Sequence, residues 1–211
     1  MNRDYLGKKN WDVEDEVTNF ICSLIQLTES KSILEIGTYK GKTSKAIVKV
    51  SPNISVITTD IKKYIDLPSS FLSKYENQFK FILRKNLDSF LKKKGGKFDV
   101  IFIDADHSFK ALLVDMSFSL KHLNTSGIII LHDTLNPIFN RYIAAFNVIV
   151  FLSKVLLGKK FQHITHMTPI IKDRYLSGIS VLSYHNISGI RFSLLLATID
   201  FISRIYIKIS R

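Results

Sequence analysis

The chain predicts an α/β fold on a doubly wound sheet of seven strands, mostly parallel and closed at one end by an antiparallel hairpin. Three observations predict it. Short apolar runs alternate with helical patterns from Ser32 to Leu157, which is how parallel strands joined by crossover helices read. One run, Phe98–Ile103, is almost wholly apolar, as a central strand covered on both faces must be. The last two runs, Phe161–His166 and Ile179–Tyr184, are separated by a loop rather than a helix, so they pair as a hairpin. At 211 residues the chain fits one domain, and 46% hydrophobic residues are enough for a full core.

Each element follows from its local pattern. Asp12–Leu27 places Val13, Val17, Phe20, Ile21, Leu24, Ile25 and Leu27 at helical spacing, with acids in the first turn. It reads as a covering helix, with Trp11 as a packing anchor ahead of it. Ser32–Ile36 is the first strand and Lys42–Val50 the first crossover helix. After the turn Ser51-Pro52-Asn53, the second strand runs Ile54–Thr59 and ends at Asp60. Tyr64–Glu76 is a weak polar helix broken early by Pro68. Phe79–Leu83 is the third strand, and Arg84-Lys85-Asn86 leads into a helix over Leu87–Lys93 that Gly95-Gly96 closes.

The fourth strand, Phe98–Ile103, ends in Asp104-Ala105-Asp106-His107. A helix follows from a Ser108 cap to Leu123, with Lys121 and His122 in its last turn. Gly127 opens the fifth strand, Ile128–Leu131, which ends in His132-Asp133-Thr134. Asn136-Pro137 starts a long apolar helix over Ile138–Leu157, ended by Gly158. His163 and His166, in the sixth strand, read as structural. The tail, Ile190–Arg211, allows two readings. As a helix it lines Ser193, Asp200, Arg204 and Arg211 along one narrow face, with Asp200 and Arg204 at i, i+4. As a strand it alternates Ile205, Ile207 and Ile209 with Tyr206, Lys208 and Ser210.

Composition bounds the function classes. The formal net charge of +12 favours acidic partners such as nucleic acid, anionic lipid or a phosphorylated substrate. The charge is scattered rather than gathered in one arm, so a lysine-rich solvated surface explains it equally well. The single cysteine, Cys22, excludes disulfides and cysteine-rich metal sites and fits a reducing, cytoplasmic setting. The polar start, Met1–Glu16, does not read as a signal peptide. No apolar run reads as long enough to span a membrane. Three regions are expected: 1–29 as the covering helix, 30–186 as the α/β domain, and 187–211 as a basic, apolar extension. The extension is expected to pack or dimerise, ahead of an interfacial contact with the inner face of a membrane.

The chemistry concentrates at Ile33-Leu34-Glu35-Ile36-Gly37-Thr38-Tyr39-Lys40-Gly41-Lys42-Thr43-Ser44. A strand ends in an acid, and two glycines shape the turn into the next helix, where backbone N–H groups can approach a ligand. Only three residues separate Gly37 and Gly41, one too few for a P-loop. Tyr39 and Lys42 stand where a dinucleotide fingerprint needs glycine. An acid at the end of the second strand, Asp60, is spaced to meet ribose hydroxyls. Two further clusters, Asp104/Asp106/His107 and His132/Asp133, end the fourth and fifth strands. In such sheets ligands bind outside the carboxyl ends of the strands, so Glu35, Asp60, Asp104 and His132 should border one crevice.

The remaining pattern, E-x-G-x-x-x-G-x-[ST], resembles motif I of class I S-adenosylmethionine (AdoMet) methyltransferases. Phe102–Phe109 and Gly127–Asp133 resemble the paired signatures of the small-molecule O-methyltransferases, a group that includes caffeoyl-CoA and macrolide-sugar O-methyltransferases. The resemblance covers about Ser30–Tyr184 and implies a Rossmann-like methyltransferase domain. It also implies an AdoMet site made by Glu35, Gly37, Tyr39, Gly41, Thr43, Asp60, Asn86 and Asp104. Glu35 would face the ammonium or sulfonium-bearing chain, and Asn86 the adenine edge. The methyl would go to a hydroxyl of a sugar or other small metabolite. An Asn/Asp-Pro-Pro-aromatic tetrapeptide, expected for base N-methylation, is replaced here by Asp104-Ala105-Asp106-His107.

Family members often hold a divalent cation through the first acid of D-x-D-H and two adjacent residues after the fifth strand. Those positions are Asp104, His132 and Asp133. His132 departs from the oxygen ligands that Mg²⁺ prefers, and imidazole tolerates Mn²⁺, Fe²⁺ or Zn²⁺ better. Alternatively the site is metal-free and His132 is a base or a substrate contact. His107 is the first candidate for general base, with His132 second. Two rival readings keep the fold: an RNA methyltransferase, prompted by the charge, and a non-catalytic AdoMet- or partner-binding protein. RNA ranks below a small-molecule acceptor.

Overall fold

A computed structural model describes residues 13–136, 139–169, 176–186 and 189–209. Seven strands form one sheet in the order β3-β2-β1-β4-β5-β7-β6. They are β1 (Ser32–Ile36), β2 (Ser55–Asp60), β3 (Phe79–Leu83), β4 (Phe98–Ile103), β5 (Leu123–Leu131), β6 (Phe161–Pro169) and β7 (Leu176–Tyr184). The first five pair in parallel. β7 inserts antiparallel between β5 and β6, which is the expected terminal hairpin. The chain reverses its winding between β1 and β4, so the topological switch point, where ligands bind in open α/β sheets, falls beside the glycine turn.

Two apolar layers follow from the alternation of side chains along each strand. Leu34, Ile36, Ile101 and Ile103 point into one layer with helices α4 (Arg84–Lys94), α5 (Phe109–His122), α6 (Asn140–Leu157) and α7 (Ile190–Ile209). Ile33, Val56, Val100 and Phe102 point into the other with α1 (Asp15–Leu27), α2 (Lys42–Ile47) and α3 (Ser69–Lys74). On α1, Val17, Ile21 and Ile25 lie at i, i+4 and i+8 and are buried. Each such side chain contributes on the order of 1.5–3 kcal/mol. Asp99, the one acid within β4, accepts from the backbone N–H groups of Lys31 and Ser32, from the Ser32 hydroxyl and from the Asn124 amide. It thereby pins the starts of β1, β4 and β5. Burial works against its charge, but these donors outweigh it and hold its carboxyl below the usual range.

Several elements differ from their expected bounds for local reasons. Pro68 precedes rather than breaks α3, which starts at Ser69, because proline cannot supply an interior N–H. α4 starts directly from β3 at Arg84, so Asn86 lies in its first turn. β5 reaches back to Leu123 through Gly127, with a register shift between Phe98 and Val100 of β4. The tail is a helix, α7, and the Asp200–Arg204 pair forms at 2.7 Å. α6 together with its closing 3₁₀ turn, Asn140–Lys160, is long and apolar enough to cross a membrane by length and composition. This corrects the expectation that no run reaches that length. One face of α6, through Tyr142, Ala145, Phe146, Ile149 and Val150, is nonetheless packed in the core. Trp11, Arg211, the Pro137-Ile138 helix start and residues 170–175 between β6 and β7 lie outside the described residues.

Candidate active site

The glycine turn is shaped by close approach. A Cβ on Gly37 would lie 1.9 Å from the Asp104 carbonyl oxygen, and its φ of +102° is one that side-chain-bearing residues avoid. The ladder continues past the strand ends. Gly37 N–H donates to the Thr59 carbonyl, Asp104 N–H to Ile36 and His132 N–H to Ile103. These bonds hold the carboxyl ends of β2, β1, β4 and β5 in step. Asp60 braces the turn: one carboxylate oxygen accepts from Tyr39 N–H at 2.9 Å and the other from Ile61 N–H at 2.7 Å. Tyr39 has a positive φ of 46°. Gly41 is the left-handed N-cap of α2, and Thr43 is buried within that helix.

Glu35 departs from the expectation of a ligand-facing acid. It is 1% exposed, and its carboxylate accepts from the Thr58 hydroxyl at 2.6 Å and from the Ser44 hydroxyl. The reason is strand parity: Leu34 and Ile36 point to the layer of α4–α7, so Glu35 must point the other way, beneath α2. Thr38 joins the same chain through Thr58 at 2.6 Å. Burial pushes the Glu35 carboxyl up to about 7, against the lowering effect of the Ser44 and Thr58 hydroxyls. Asn86 also stands apart. It is exposed and lines a groove of about 810 Å³ along β3 and α4, with Lys63, Leu83 and Phe90. Neither Asp60 nor Asp104 lines that groove.

The two clusters after β4 and β5 do converge. Donor atoms of Asp104, His107, His132 and Asp133 all lie within 4.8 Å of one another. His132 Nδ1 is 3.1 Å from Asp104 Oδ1 and 3.7 Å from Asp133 Oδ2. His107 Nε2 is 3.3 Å from Asp133 Oδ2 and 3.6 Å from Asp104 Oδ1. Asp133 adopts a left-handed backbone, φ 56°, which swings its carboxylate back to the cluster. Such backbone is costly outside glycine and concentrates at functional sites. Asp106 turns away and organises the helix start, accepting from Ser108 N–H at 3.0 Å. Ser108 in turn caps α5 through Ala111 N–H.

Four residues that local sequence reasoning did not pick complete the site. Glu14, just ahead of α1, has Oε2 3.0 Å from His132 Nε2. Lys42 fixes α1 in that position, donating to the Val13 carbonyl and pairing with Asp15, both at 2.8 Å. Phe139 stacks on the His107 ring with centroids 4.3 Å apart. Tyr142 closes the floor and donates its hydroxyl to the His132 carbonyl. No local signal marks Glu14, which reads only as one of several acids at a helix start.

The charges are set by this packing. Burial alone would drive the His132 pKa down, but the Asp104 charge and hydrogen bond, then Glu14 and Asp133, raise it well above the ordinary value. Burial would raise Asp104, yet His132 and then His107 hold it below the usual carboxylate range. Burial, with Asp104 and Asp133 nearby, pushes the Tyr142 phenol well up. These contacts favour the imidazolium form of His132, the ionised form of Asp104 and the neutral form of the Tyr142 phenol.

A glycine turn braced by an acid from β2, at the switch point of a 3-2-1-4-5-7-6 sheet, defines a class I methyltransferase fold. Residues 34–134 match the family described as a methyltransferase domain. That stretch runs from β1 through the turn after β5. Solved structures repeat the fold at low identity. The O-methyltransferase from Bacillus cereus in complex with SAH is 19% identical, with a TM-score of 0.64 over 82% of each chain. The O-methyltransferase TomG from Streptomyces achromogenes, involved in tomaymycin synthesis and in complex with SAM, is 14% identical, with a TM-score of 0.66 over 85% of this chain and 84% of that one. The cofactor-bound protein Rv0187 from MTB is 17% identical, with a TM-score of 0.66 over 87% and 86%. No curated protein matches the chain.

Proposed function

We propose that this chain is an AdoMet-dependent O-methyltransferase that methylates a hydroxyl of a sugar or other small metabolite. The observation that carries the reading is the convergence of Asp104, His107, His132 and Asp133 at the strand ends beside a turn built for close backbone approach. AdoMet fits that turn. It has an amino-acid end and a ribose but no phosphate, and the strand ends beside the turn offer Asp60 after β2 and Asp104 after β4 in place of a phosphate cradle. Both Asp60 oxygens keep lone pairs beyond their one backbone donor each, so ribose hydroxyls can still be accepted.

AdoMet supplies an activated methyl, so the chain must hold an acceptor oxygen in line and take its proton. His107 Nε2 would receive that proton as the oxygen–methyl bond forms and the sulfonium–methyl bond breaks, with S-adenosylhomocysteine leaving. Asp133 and Asp104, at 3.3 and 3.6 Å, stabilise the resulting imidazolium. Phe139 and Tyr142 fix the plane of the ring. The same four side chains also fit a divalent cation of the Mn²⁺, Fe²⁺ or Zn²⁺ type, because two imidazoles and two carboxylates suit such ions better than Mg²⁺. There Asp104, His107, His132 and Asp133 would hold the ion, with Glu14 orienting His132 from its far nitrogen. The ion would acidify the acceptor hydroxyl.

Calorimetry with AdoMet and S-adenosylhomocysteine, in EDTA and then with Mn²⁺, tests the reading. Binding that Asp60→Ala abolishes, together with turnover on a hydroxyl acceptor that His107→Ala cuts by about 10²–10⁴-fold, is the expected result. Binding without turnover on any acceptor would favour the non-catalytic rival. Methylation of RNA with steep salt dependence would favour the nucleic-acid rival.

A further inference from the structure

We propose that the outward face of α6 and α7 docks on an anionic lipid surface. The two helices pack with α5 over the same face of the sheet and share its apolar cluster. Their buried sides are accounted for: Tyr142, Ala145, Phe146, Ile149 and Val150 on α6, and Leu195 and Ile199 on α7. The opposite sides are apolar as well. On α6, Val148, Phe151 and Val155 follow one another at i, i+3 and i+7 and are exposed, Phe151 at 64%. On α7, Ile190, Leu194, Phe201 and Ile205 occupy i, i+4, i+11 and i+15, with Phe201 63% exposed. Helices apolar on both faces call for a second apolar environment beyond their own core.

Charge decides what covers them. Exposed Arg141 and Lys154 flank the α6 stripe, Lys159 and Lys160 follow it, and Arg191 and Arg204 flank the α7 stripe. Across both helices and the turn between α6 and β6, the sequence holds one acid, Asp200. It is already paired with Arg204 at 2.7 Å and Lys121 at 3.5 Å. A symmetric dimer would set this patch against its own copy and bring base against base. An apolar stripe with a basic rim is instead the pattern of helices lying in the plane of an anionic bilayer surface. There the rings enter the acyl boundary while the cations meet headgroups. The helices lie on that surface; the buried face of α6 keeps it from crossing.

The test is flotation of the full chain with phosphatidylcholine vesicles, with and without phosphatidylglycerol. The chain should float with the anionic vesicles only. The double change Lys154→Gln/Arg191→Gln should weaken partitioning roughly thirty-fold, since each cation near the surface counts for about five-fold. Phe151→Ser/Phe201→Ser should weaken it at least about ten-fold at an unchanged melting temperature, because both rings are already outside the core. Absence of flotation with anionic vesicles would overturn the proposal. So would equal flotation with phosphatidylcholine alone, or indifference to the loss of both rings. A dimer in sedimentation equilibrium that the phenylalanine pair dissolves would also overturn it and assign the face to a second copy.

Discussion

His132 has a carboxylate at each ring nitrogen, Asp104 at 3.1 Å and Glu14 at 3.0 Å. Both nitrogens can donate only in the imidazolium form. A raised folded pKa means that this pairing stabilises fully below the unfolded value of about 6.5, and that the stability is lost as pH rises through the folded value. Glu14→Gln should lower the His132 pKa, read from its ring-proton NMR titration, and cost on the order of 1–3 kcal/mol near pH 6. That difference should shrink as the pH rises; an unmoved titration would show that Glu14 is incidental. Glu35 gives a pH slope of the same sign, but from burial of its charge rather than from pairing. Its carboxyl is raised to about 7, so between its ordinary value and about 7 the unfolded chain releases a proton that the folded chain keeps. Stability falls across that window and levels off above it. Glu35→Gln should remove the slope and gain on the order of 1–3 kcal/mol at pH 8 relative to acid pH. Urea melts across the range that give parallel curves for the two proteins would contradict this.

At the scale of the element, the β1–α2 turn is closely packed against the backbone after β4. Gly37→Ala sets a methyl 1.9 Å from the Asp104 carbonyl, and backbone on both sides leaves no flexible side chain to yield. The expected cost is more than about 3 kcal/mol, with AdoMet binding lost in the fraction that remains folded. A variant that melts and binds like the parent would mean that the approach of β1 to β4 is looser than described. α1 belongs to the site as much as to the core. Its buried stripe docks it on the sheet, and Lys42 anchors it through Val13 and Asp15, which carries Glu14 to His132 across 118 positions of chain.

At the scale of the whole molecule, α7 completes the layer over β4 and β5 instead of hanging from it, with Leu195 and Ile199 buried against α5 and α6. Ile199→Ala should therefore destabilise the whole domain by about 2–5 kcal/mol in a single urea transition. A separate early transition would make α7 a detachable extension. The doubly wound sheet, its hairpin end and the order of its elements are all determined by sequence, because apolar periodicity and the clusters ending β4 and β5 are local signals. Asp104, His107, His132 and Asp133 were legible for the same reason: strand ends in a parallel sheet gather at one edge. The inward turn of Glu35 could not be read, since an acid ending an apolar run looks the same whichever face it points to until β2 and α2 supply Thr58 and Ser44. Nor could the helical state of the tail, which fits two periods and is held to the α5 and α6 layer through Leu195 and Ile199. Tertiary structure alone brought Glu14 to His132, because a contact between residues so far apart in sequence depends on how α1 crosses the sheet, and no local propensity encodes that crossing.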